Sequence, residues 1–312
     1  MRVFLAGATG AIGRQLVPRL IAAGHEVTGT TRSPQRAAEL EASGAKAVVL
    51  DALDRDAVTD AVAAASPDAV IHQLTALPQR IDPRKVERDF VLNDRLRGEG
   101  TEILVAAARA AGASRIVAQS ISFFYAPGPP GTLHVESDPL LSAEQAPAMM
   151  KRSTAAVEML ESTVLGAGGL ILRYGYFYGP GTAIARDGSM GQDLAKRRMP
   201  VVGGGTGVWS LIHIADAAEA TVAALERGES GAYNIVDDHP AKIAEWLPAL
   251  AAAVGAPKPM RVPAWLARPI AGEYGIATMT AAQGASNAKA KAELSWSPTR
   301  PDWREGFRTS LE

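Results

Sequence analysis

The sequence predicts an α/β protein with a doubly wound parallel sheet. Three observations support this fold class. The chain opens with a short apolar strand, a glycine-rich turn and a helix. Strands and helices of 10 to 15 residues then alternate, and glycines or capping residues mark the helix ends. At 312 residues, the chain can form one large domain or a core domain with a smaller one attached.

The predicted elements follow in order along the chain. The strands are RVFLAG (2–7), EVTGTT (26–31), AKAVVLD (45–51), DAVIHQL (68–74), RIVAQS (115–120), GLILRYG (169–175) and GAYNIV (231–236). The helices are AIGRQLVPRLIAAG (11–24), SPQRAAELEASG (33–44), DRDAVTDAVAAAS (54–66), GTEILVAAARAAG (100–112) and the segment that opens at QAPAMMKRSTAAVEML (145–160). Ser33 is the expected N-cap of the second helix, with Pro34 at its first position. The Pro- and Gly-rich segment 125–142 is a loop long enough to be functional.

A glycine-rich turn links the first strand to the first helix. Its glycines have GxxGxxG spacing, which permits a tight turn and brings a pyrophosphate close to N–H groups at the positive end of the helix. The spacing is weak evidence alone, but its place in a series of strand–helix units favours a dinucleotide site. The expected contacts are Gly7, Thr9, Gly10, Ala11, Ile12 and Gly13.

The end of the second strand favours NADP(H) over NAD(H). A carboxylate here would accept hydrogen bonds from the ribose hydroxyls of NAD, but the chain reads Thr30, Thr31, Arg32, Ser33. Arg32 can bind a 2′-phosphate, and the hydroxyls of Thr31 or Ser33 can add donors. Asp51, which ends the third strand, is placed either to meet the adenine edge or to cap the next helix.

The order of these motifs resembles that of the extended short-chain dehydrogenase/reductase superfamily, in particular its NAD-dependent epimerase/dehydratase group. The similar segments are GATGAIG (7–13), DAVIHQLTA (68–76), GTEILVAAARAAGASRIV (100–117), LRYGYFYGPG (172–181), GGGTGVWSLIHIADAAEATVAAL (203–225) and SNAKAKAELSWSP (286–298). The resemblance implies a Rossmann-type fold and further cofactor contacts. Those contacts would come from Asp51, Ala52, Leu53, Gln73, Leu74, Thr75, Gln119, Tyr174 and Gly175.

The same resemblance shows that the usual catalytic residues are missing. Family enzymes place Ser or Thr after the fifth strand and Tyr-x-x-x-Lys on the next helix, and these groups move a proton while hydride moves at nicotinamide C4. Aligning Glu158 with the family's later glutamate puts Met150 at the tyrosine and Thr154 at the lysine. Counting back four residues from Tyr125, in the stretch that resembles the family's Val-Tyr-Gly, puts Ile121 at the position of the family's serine. The helix therefore lacks the family's usual acid–base step.

Three explanations of this gap remain open. A substitute donor can act, with Ser122, Tyr125 and Lys151 as the first candidates, followed by Ser120, Tyr176, Tyr178 and His134. Alternatively, a substrate with an acidic hydroxyl beside its carbonyl can stabilise the growing alkoxide, and water then completes the transfer. In the third explanation catalysis is lost and the protein is a cofactor-binding sensor.

Apolar side chains are expected to line the substrate pocket. They are Phe123, Phe124, Met149, Met150 and Trp209. Trp209 stands where enzymes of nucleotide sugars in this family usually carry an arginine for the diphosphate. Arg97 stands where the family often has asparagine, and Asn93 can take over that role one helical turn away. Such a lining suits a flat or apolar carbonyl compound better than a charged sugar nucleotide.

The sequence therefore predicts an NADP(H)-dependent oxidoreductase that reduces an apolar or aromatic carbonyl compound, for example a natural-product intermediate. A non-catalytic NADP(H)-binding redox sensor is the alternative, and a nucleotide-sugar epimerase or dehydratase is the third hypothesis. Residues 1–174, with 208–236 returning to them, would form the NADP-binding domain. Residues 175–207 and 237–312 would form a small, mostly helical C-terminal substrate-binding region.

Composition argues against several other classes. The formal net charge of −1 gives no reason to expect nucleic acid or an anionic membrane as partner. The chain has no cysteine, which excludes disulfides and thiolate metal sites, and we expect no metal. The N-terminus MRVFLAGATG does not read as a signal peptide, and no apolar stretch approaches the roughly 20 residues of a membrane span. A cytoplasmic monomer or homodimer is the default expectation.

Overall fold

The centre of the molecule is a seven-stranded parallel sheet, seen in a computed structural model that describes residues 1–82 and 84–311. The strands, in chain order, are β1 (Arg2–Ala6), β2 (Glu26–Thr31), β3 (Lys46–Val49), β4 (Ala69–His72), β5 (Arg115–Ile121), β6 (Leu170–Tyr174), β7 (Tyr176–Tyr178), β8 (Val201–Val202), β9 (Val208–Trp209), β10 (Leu211–His213), β11 (Gly231–Ile235), β12 (Ala241–Lys242) and β13 (Arg261–Val262). The order across the sheet is β11-β6-β5-β4-β1-β2-β3. The predicted α/β class with a doubly wound parallel sheet is confirmed.

Helices cover both faces of this sheet and build the C-terminal region. They are α1 (Gly13–Ala22), α2 (Pro34–Ala42), α3 (Arg55–Ala65), α4 (Val86–Asp89), α5 (Val91–Arg97), α6 (Glu99–Ala110), α7 (Lys151–Gly166), α8 (Ser189–Ala195), α9 (Ile214–Glu226), α10 (Ile243–Ala253), α11 (Ala264–Thr280), α12 (Ala288–Glu293) and α13 (Trp303–Ser310). Gly272 interrupts α11 with a φ of 65° and a ψ of 176°, a conformation available to glycine. In the part of the chain that is described, no helix combines the length and apolar character needed to cross a membrane.

The strand order reverses between β1 and β4. Chain connections run outward from β1 toward β3 on one side and outward from β4 toward β11 on the other. In such sheets the reversal opens a crevice beyond the carboxyl ends of the strands, and ligands bind there. The crevice therefore lies between the turn after β1 and the loop after β4.

Two apolar layers hold the helices on the sheet. One face packs α1 and α9 against the strands, and its buried side chains include Leu16, Leu20, Ala217, Ala220, Leu172 and Ile235. The other face packs α3, α6 and α7, with Val58, Val62, Leu104, Ala108, Leu160 and Val164. A separate cluster in the C-terminal region includes Trp246, Leu250, Trp303 and Phe307.

The local signals at the helix ends are partly confirmed. The Ser33 hydroxyl accepts a hydrogen bond from the Arg36 N–H (3.4 Å), and Pro34 follows as the first residue of α2, as predicted. The helix expected to open at residue 145 begins later, at Lys151. Proline disfavours the α conformation in the residue before it, so a helix cannot easily run through Ala146. Pro147 itself has an extended ψ of 144° and is followed by a 3-10 turn at Ala148–Met150.

A buried polar network ties β5, β6 and β11 to α7. The Arg173 guanidinium forms a salt bridge with the Glu161 carboxylate (2.7 Å), and the Ser120 hydroxyl donates to the same carboxylate (2.6 Å). Arg173 also donates to the Tyr125 hydroxyl (2.9 Å), which donates to the side-chain oxygen of Asn234 (2.7 Å). Both Glu161 and Arg173 are buried, so each charge depends on the other for compensation.

We expect Glu161→Gln to lower the free energy of unfolding by about 3–5 kcal/mol, because it leaves the Arg173 charge buried without its partner. Urea denaturation at pH 7 measures this loss. Glu219→Gln is the matched control, because the Arg19–Glu219 pair (2.8 Å) is largely exposed and such pairs contribute about 0–1 kcal/mol. Equal losses for the two variants would contradict the assignment.

Candidate active site

The glycine-rich turn after β1 lies directly against the chain after β4. A Cβ atom added at Gly7, where φ is 91°, would lie 2.6 Å from the Gln73 carbonyl oxygen, and one at Gly13 would lie 2.4 Å from the Gly7 carbonyl oxygen. Gly10 is open, since its added Cβ would meet only the Gly7 oxygen, at 3.3 Å. Helix α1 begins at Gly13 without a side-chain cap on its N-terminal N–H groups. The turn therefore leaves an open cradle of N–H donors that fits a pyrophosphate.

Hydroxyl and guanidinium groups follow at the end of β2. The Thr30 hydroxyl accepts from the Gly7 N–H (3.2 Å), and the Thr9 hydroxyl donates to that of Thr31 (3.2 Å). Arg32 is exposed, and the first turn of α2 carries no acidic residue. A phosphate beside Arg32 and Ser33 would therefore meet no opposing carboxylate from that turn.

The hydrogen bonds in the turn after β3 test whether Asp51 caps the next helix, which is one of the two roles considered for it. The Asp51 carboxylate accepts from the Leu53 N–H (3.0 Å), whereas the cap of α3 is Asp54, which accepts from the Ala57 N–H (3.1 Å). The helix-capping alternative for Asp51 is therefore wrong, because the helix starts after Asp54. Ala52 and Leu74 lie close together and line a small cavity of about 10 Å³.

Two glutamine side chains lie near the carboxyl ends of the central strands, Gln73 directly after β4 and Gln119 in β5. The Gln73 amide nitrogen donates to the Tyr174 hydroxyl (3.1 Å), which lies 2.5 Å from the Thr221 hydroxyl. Burial raises the pKa of Tyr174 to about 12, so this phenol stays neutral. The side-chain oxygens of Gln73 and Gln119 are buried without a hydrogen-bond partner among the described residues. Buried acceptor oxygens without a partner fit a ligand group that supplies N–H or O–H donors, such as the carboxamide or the ribose of a dinucleotide.

Gly175 follows Tyr174 and passes close to a neighbouring segment. A Cβ at Gly175 would lie 2.5 Å from the Ser210 carbonyl oxygen. Thr75, like Leu74, is half-buried in the segment that leaves β4. Taken together, the cradle, the open α1 terminus and the orphaned amides fit a bound nicotinamide dinucleotide.

Three apolar or small residues occupy the positions where the resemblance placed a proton relay. Ile121, Met150 and Thr154 are 8%, 5% and 1% exposed. Ile121 and Met150 pack together in an apolar cluster with Phe124 and Val157. The Thr154 hydroxyl is buried without a partner in the described part of the chain. At these positions the structure offers neither a phenol nor an ammonium group.

The three predicted substitutes lie in different surroundings. Lys151 is exposed at the start of α7. The Tyr125 hydroxyl already bonds Arg173 and Asn234, and its ring stacks on His134 at 4.6 Å. Burial raises the pKa of Tyr125, which makes proton release harder. Ser122 is buried, and its backbone N–H donates to the Tyr174 carbonyl oxygen (2.9 Å). Of the two serines that flank Ile121, Ser120 donates its hydroxyl to Glu161 (2.6 Å).

The predicted pocket residues form two groups joined by a tyrosine. Phe123, Phe124, Met149 and Met150 share one apolar cluster, whereas Trp209 belongs to the C-terminal cluster. Tyr176 connects them, since its ring stacks on Phe123 (4.3 Å between centroids) and on Trp209 (3.7 Å). Both faces of the Tyr176 ring are thus covered, and a flat aromatic ligand would stack on the end of this column or contact its edges.

Tyr176 and Tyr274 were not among the predicted pocket residues. Tyr274, from α11, packs on the Phe123 cluster, and burial raises the pKa of both tyrosines. Tyr176 lies in segment 172–181, which resembles the family, and this was a usable signal, although Tyr176 packs in a different cluster from Tyr174. Nothing in the sequence near Tyr274 links it to β5.

A family model described as the NAD dependent epimerase/dehydratase family matches residues 3–236. A relative from a Streptomyces species, named 3-diazoavenalumate denitrifying reductase, is 46% identical over 310 residues, which cover 98% of this chain and 99% of the relative. The 4-hydroxy-2-methyl-3-oxo-4-farnesyl-3,4-dihydroquinoline-1-oxide ketoreductase of Stigmatella aurantiaca is 28% identical, covering 79% of this chain and 71% of that protein. The solved UDP-glucose 4-epimerase of Thermus thermophilus, in complex with NAD, is 26% identical with a TM-score of 0.76, covering 100% of this chain and 98% of that one.

We expect Gly13→Ala to lower the free energy of unfolding by about 1–3 kcal/mol, because the new methyl group forces the Gly7–Gly13 turn apart. The same shift should weaken binding of NADP⁺ at least tenfold, as measured by calorimetric titration. Gly166→Ala in α7 is the control, since its Cβ would meet nothing within 4 Å. A Gly13 variant with unchanged stability and affinity would contradict the cradle.

Proposed function

The chain belongs to the NAD dependent epimerase/dehydratase family and is an NAD(P)-dependent oxidoreductase, and we propose that it uses NADPH to reduce a planar hydroxyaryl diazo compound, which loses its nitrogen as N2. The observation that carries this proposal is the replacement of the expected proton relay by Ile121, Met150 and Thr154. The name of the 46% identical relative supports the diazo group as the site of reduction.

The missing proton relay matters because reduction of a carbonyl group and reduction of a diazo group leave the negative charge on different atoms. Hydride addition to an isolated carbonyl produces an alkoxide, a strong base whose protonation by a side chain contributes about 10²–10⁴ in rate. Addition to the terminal nitrogen of a hydroxyaryl diazo compound instead leaves the charge on the ring oxygen as a phenolate. A phenol has a pKa near 10, so this anion is stable without immediate protonation.

The proposed reaction balances without a protein acid. When bound, NADPH supplies a hydride. The diazo group, in its neutral quinone-diazide form, accepts that hydride on its terminal nitrogen and becomes an aryl diazene that carries a phenolate. After release into solvent, water removes the nitrogen-bound hydrogen as a proton while the C–N bond breaks and N2 leaves. The ring carbon then takes a proton from water, and solvent protonates the phenolate.

The chain's own residues would bind and orient the two reactants. The Gly7–Gly13 turn would hold the pyrophosphate, and the unpartnered side-chain oxygens of Gln73 and Gln119 would meet the nicotinamide end. The aromatic column of Phe123, Tyr176 and Trp209 would hold the flat ring and exclude water from the reacting nitrogen.

Reduction of an apolar or aromatic carbonyl compound is the second candidate. The name of the 28% identical ketoreductase favours it, and a substrate hydroxyl beside the carbonyl would compensate for the missing donor. The epimerase hypothesis has the likeness of fold in its favour, and the sensor hypothesis has no support from the relatives compared.

We expect Arg32→Ala to weaken binding of NADPH by about 10- to 100-fold, since a hydrogen bond to a charged group contributes about 1.5–3 kcal/mol. Binding of NADH should stay nearly unchanged, because it has no 2′-phosphate. Fluorescence titration with both cofactors measures the difference. Arg36→Ala, one turn into α2, is the control with a smaller expected loss. Equal losses for NADPH and NADH would contradict the preference for NADP(H).

We expect the protein to release one N2 for each NADPH oxidised when given an ortho-hydroxybenzenediazonium salt. Mass spectrometry of the gas and NADPH absorbance measure the ratio, after subtraction of the rate without enzyme. The kcat/KM should exceed that for a ketone on the same ring by a factor of about 10² or more, the contribution of the absent donor. A higher value for the ketone would favour the second candidate, and turnover of neither would overturn both.

A further inference from the structure

Arg97 is a buried arginine whose side chain has no partner in the described part of the chain. It ends α5 and is only 5% exposed. Its backbone oxygen accepts from the Thr101 hydroxyl, but its guanidinium forms neither a hydrogen bond nor a salt bridge within residues 1–82 and 84–311. Buried charges in proteins are normally paired, because an isolated one costs several kcal/mol. The described part of the chain therefore supplies no anionic partner for this guanidinium.

The two nearest carboxylates already have other cations. Asp94 accepts from the Arg152 guanidinium (2.9 Å) and the Ser153 hydroxyl (3.0 Å) through one oxygen. Glu161 is held by Arg173 and Ser120 in the buried network described above. The second Asp94 oxygen lacks a partner, yet no Arg97 nitrogen lies within salt-bridge distance of it.

The guanidinium nevertheless keeps its charge. Burial lowers the pKa of Arg97 to about 10, against the opposing effect of the Asp94 and Glu161 charges. His72 adds no competing positive charge, because burial lowers its pKa to about 4 and leaves it neutral. At neutral pH, Arg97 is therefore a cation between β4 and α7.

Helix geometry directs this cation toward the first turn of α7. Long side chains in a helix point back over the preceding turn, which here carries Asn93 and Asp94. Asp94 bonds Ser153 in the first turn of α7, and Thr154, at the position of the missing lysine, follows. The Asn93 amide nitrogen, beside Asp94 in sequence, and the Thr154 hydroxyl are also buried without a partner among the described residues. Arg97 keeps 5% of its surface exposed, so its side chain is not fully enclosed.

We infer that Arg97 binds the ring oxygen of the substrate as a phenolate, which rests on the proposed function. Hydride addition to a quinone diazide moves negative charge onto that oxygen, so a fixed cation there stabilises the charge where it develops. The guanidinium then does electrostatically what the absent phenol donor would do by proton transfer. Arg97 is accordingly a catalytic residue that contacts substrate.

A binding experiment tests this inference without turnover. In the complex with NADP⁺, the protein should lower the pKa of bound 4-nitrophenol by about 1 to 3, as an opposite charge at close range does. Absorbance of the phenolate across a pH series measures the shift. Arg97→Met should abolish it, and Arg97→Lys should keep part of it, because lysine retains the charge without the planar fork.

Arg95→Met is the matched control, since it removes one exposed positive charge from the same helix and should leave the phenol's pKa shift intact. With the diazonium salt, Arg97→Met should lower kcat/KM about 10²- to 10³-fold, the loss typical of one oxyanion donor. The ortho-methoxy analogue, which cannot form a phenolate, should be nearly unaffected by the substitution.

An unchanged nitrophenol pKa in the folded Arg97→Met variant overturns the inference while the proposed function stands. Equal losses for the hydroxy and methoxy compounds also overturn it, because they indicate a structural role. A phenolate shift that depends on Arg97, without any release of N2 by the unsubstituted protein, supports the anion site and overturns the proposed function. Melting temperature and NADP⁺ affinity establish that each variant is folded.

Discussion

A negative charge that forms inside this crevice must be stabilised by very few polar groups. Ile121 and Met150 make the floor beside the fifth strand apolar, and Thr154 has only a short hydroxyl. A strong base such as an alkoxide would be poorly accommodated there, whereas a delocalised phenolate facing the Arg97 guanidinium would be stable. In the proposed reaction, the missing proton relay and the Arg97 cation, which has no side-chain partner within residues 1–82 and 84–311, act together.

The rest of the fold keeps this arrangement rigid. The Arg173–Glu161 pair, with Ser120 and Tyr125, joins β5, β6 and α7 directly beneath the crevice. In that network Glu161 is paired with Arg173, so it holds the second half of α7 without neutralising Arg97. The aromatic column above it gives a flat ring a surface to stack on, and the glycine turn across the sheet leaves space for a dinucleotide.

The strands of the main sheet and the start of α2 could be predicted from the sequence because short stretches of neighbouring residues specify them. Apolar runs between glycines marked the strands of the main sheet, and Ser33-Pro34 marked the start of α2. The start of α7 was misplaced because Pro147 outweighs the apolar spacing around it. The engaged hydroxyl of Tyr125, the stacking of Tyr176 and the unpaired state of Arg97 depend on contacts between distant segments, and no local pattern encodes them.

The most direct measurement is a crystal structure of the complex with NADP⁺ and a hydroxyaryl product. The account predicts the ring oxygen at hydrogen-bond distance from the Arg97 guanidinium, about 2.7–3.2 Å, with the ring stacked beside Tyr176. The carbon that carried nitrogen should face the nicotinamide with no protein hydroxyl or ammonium group in reach. A ring oxygen bound instead by Ser122 or a tyrosine, with Arg97 turned to Asp94, would contradict it.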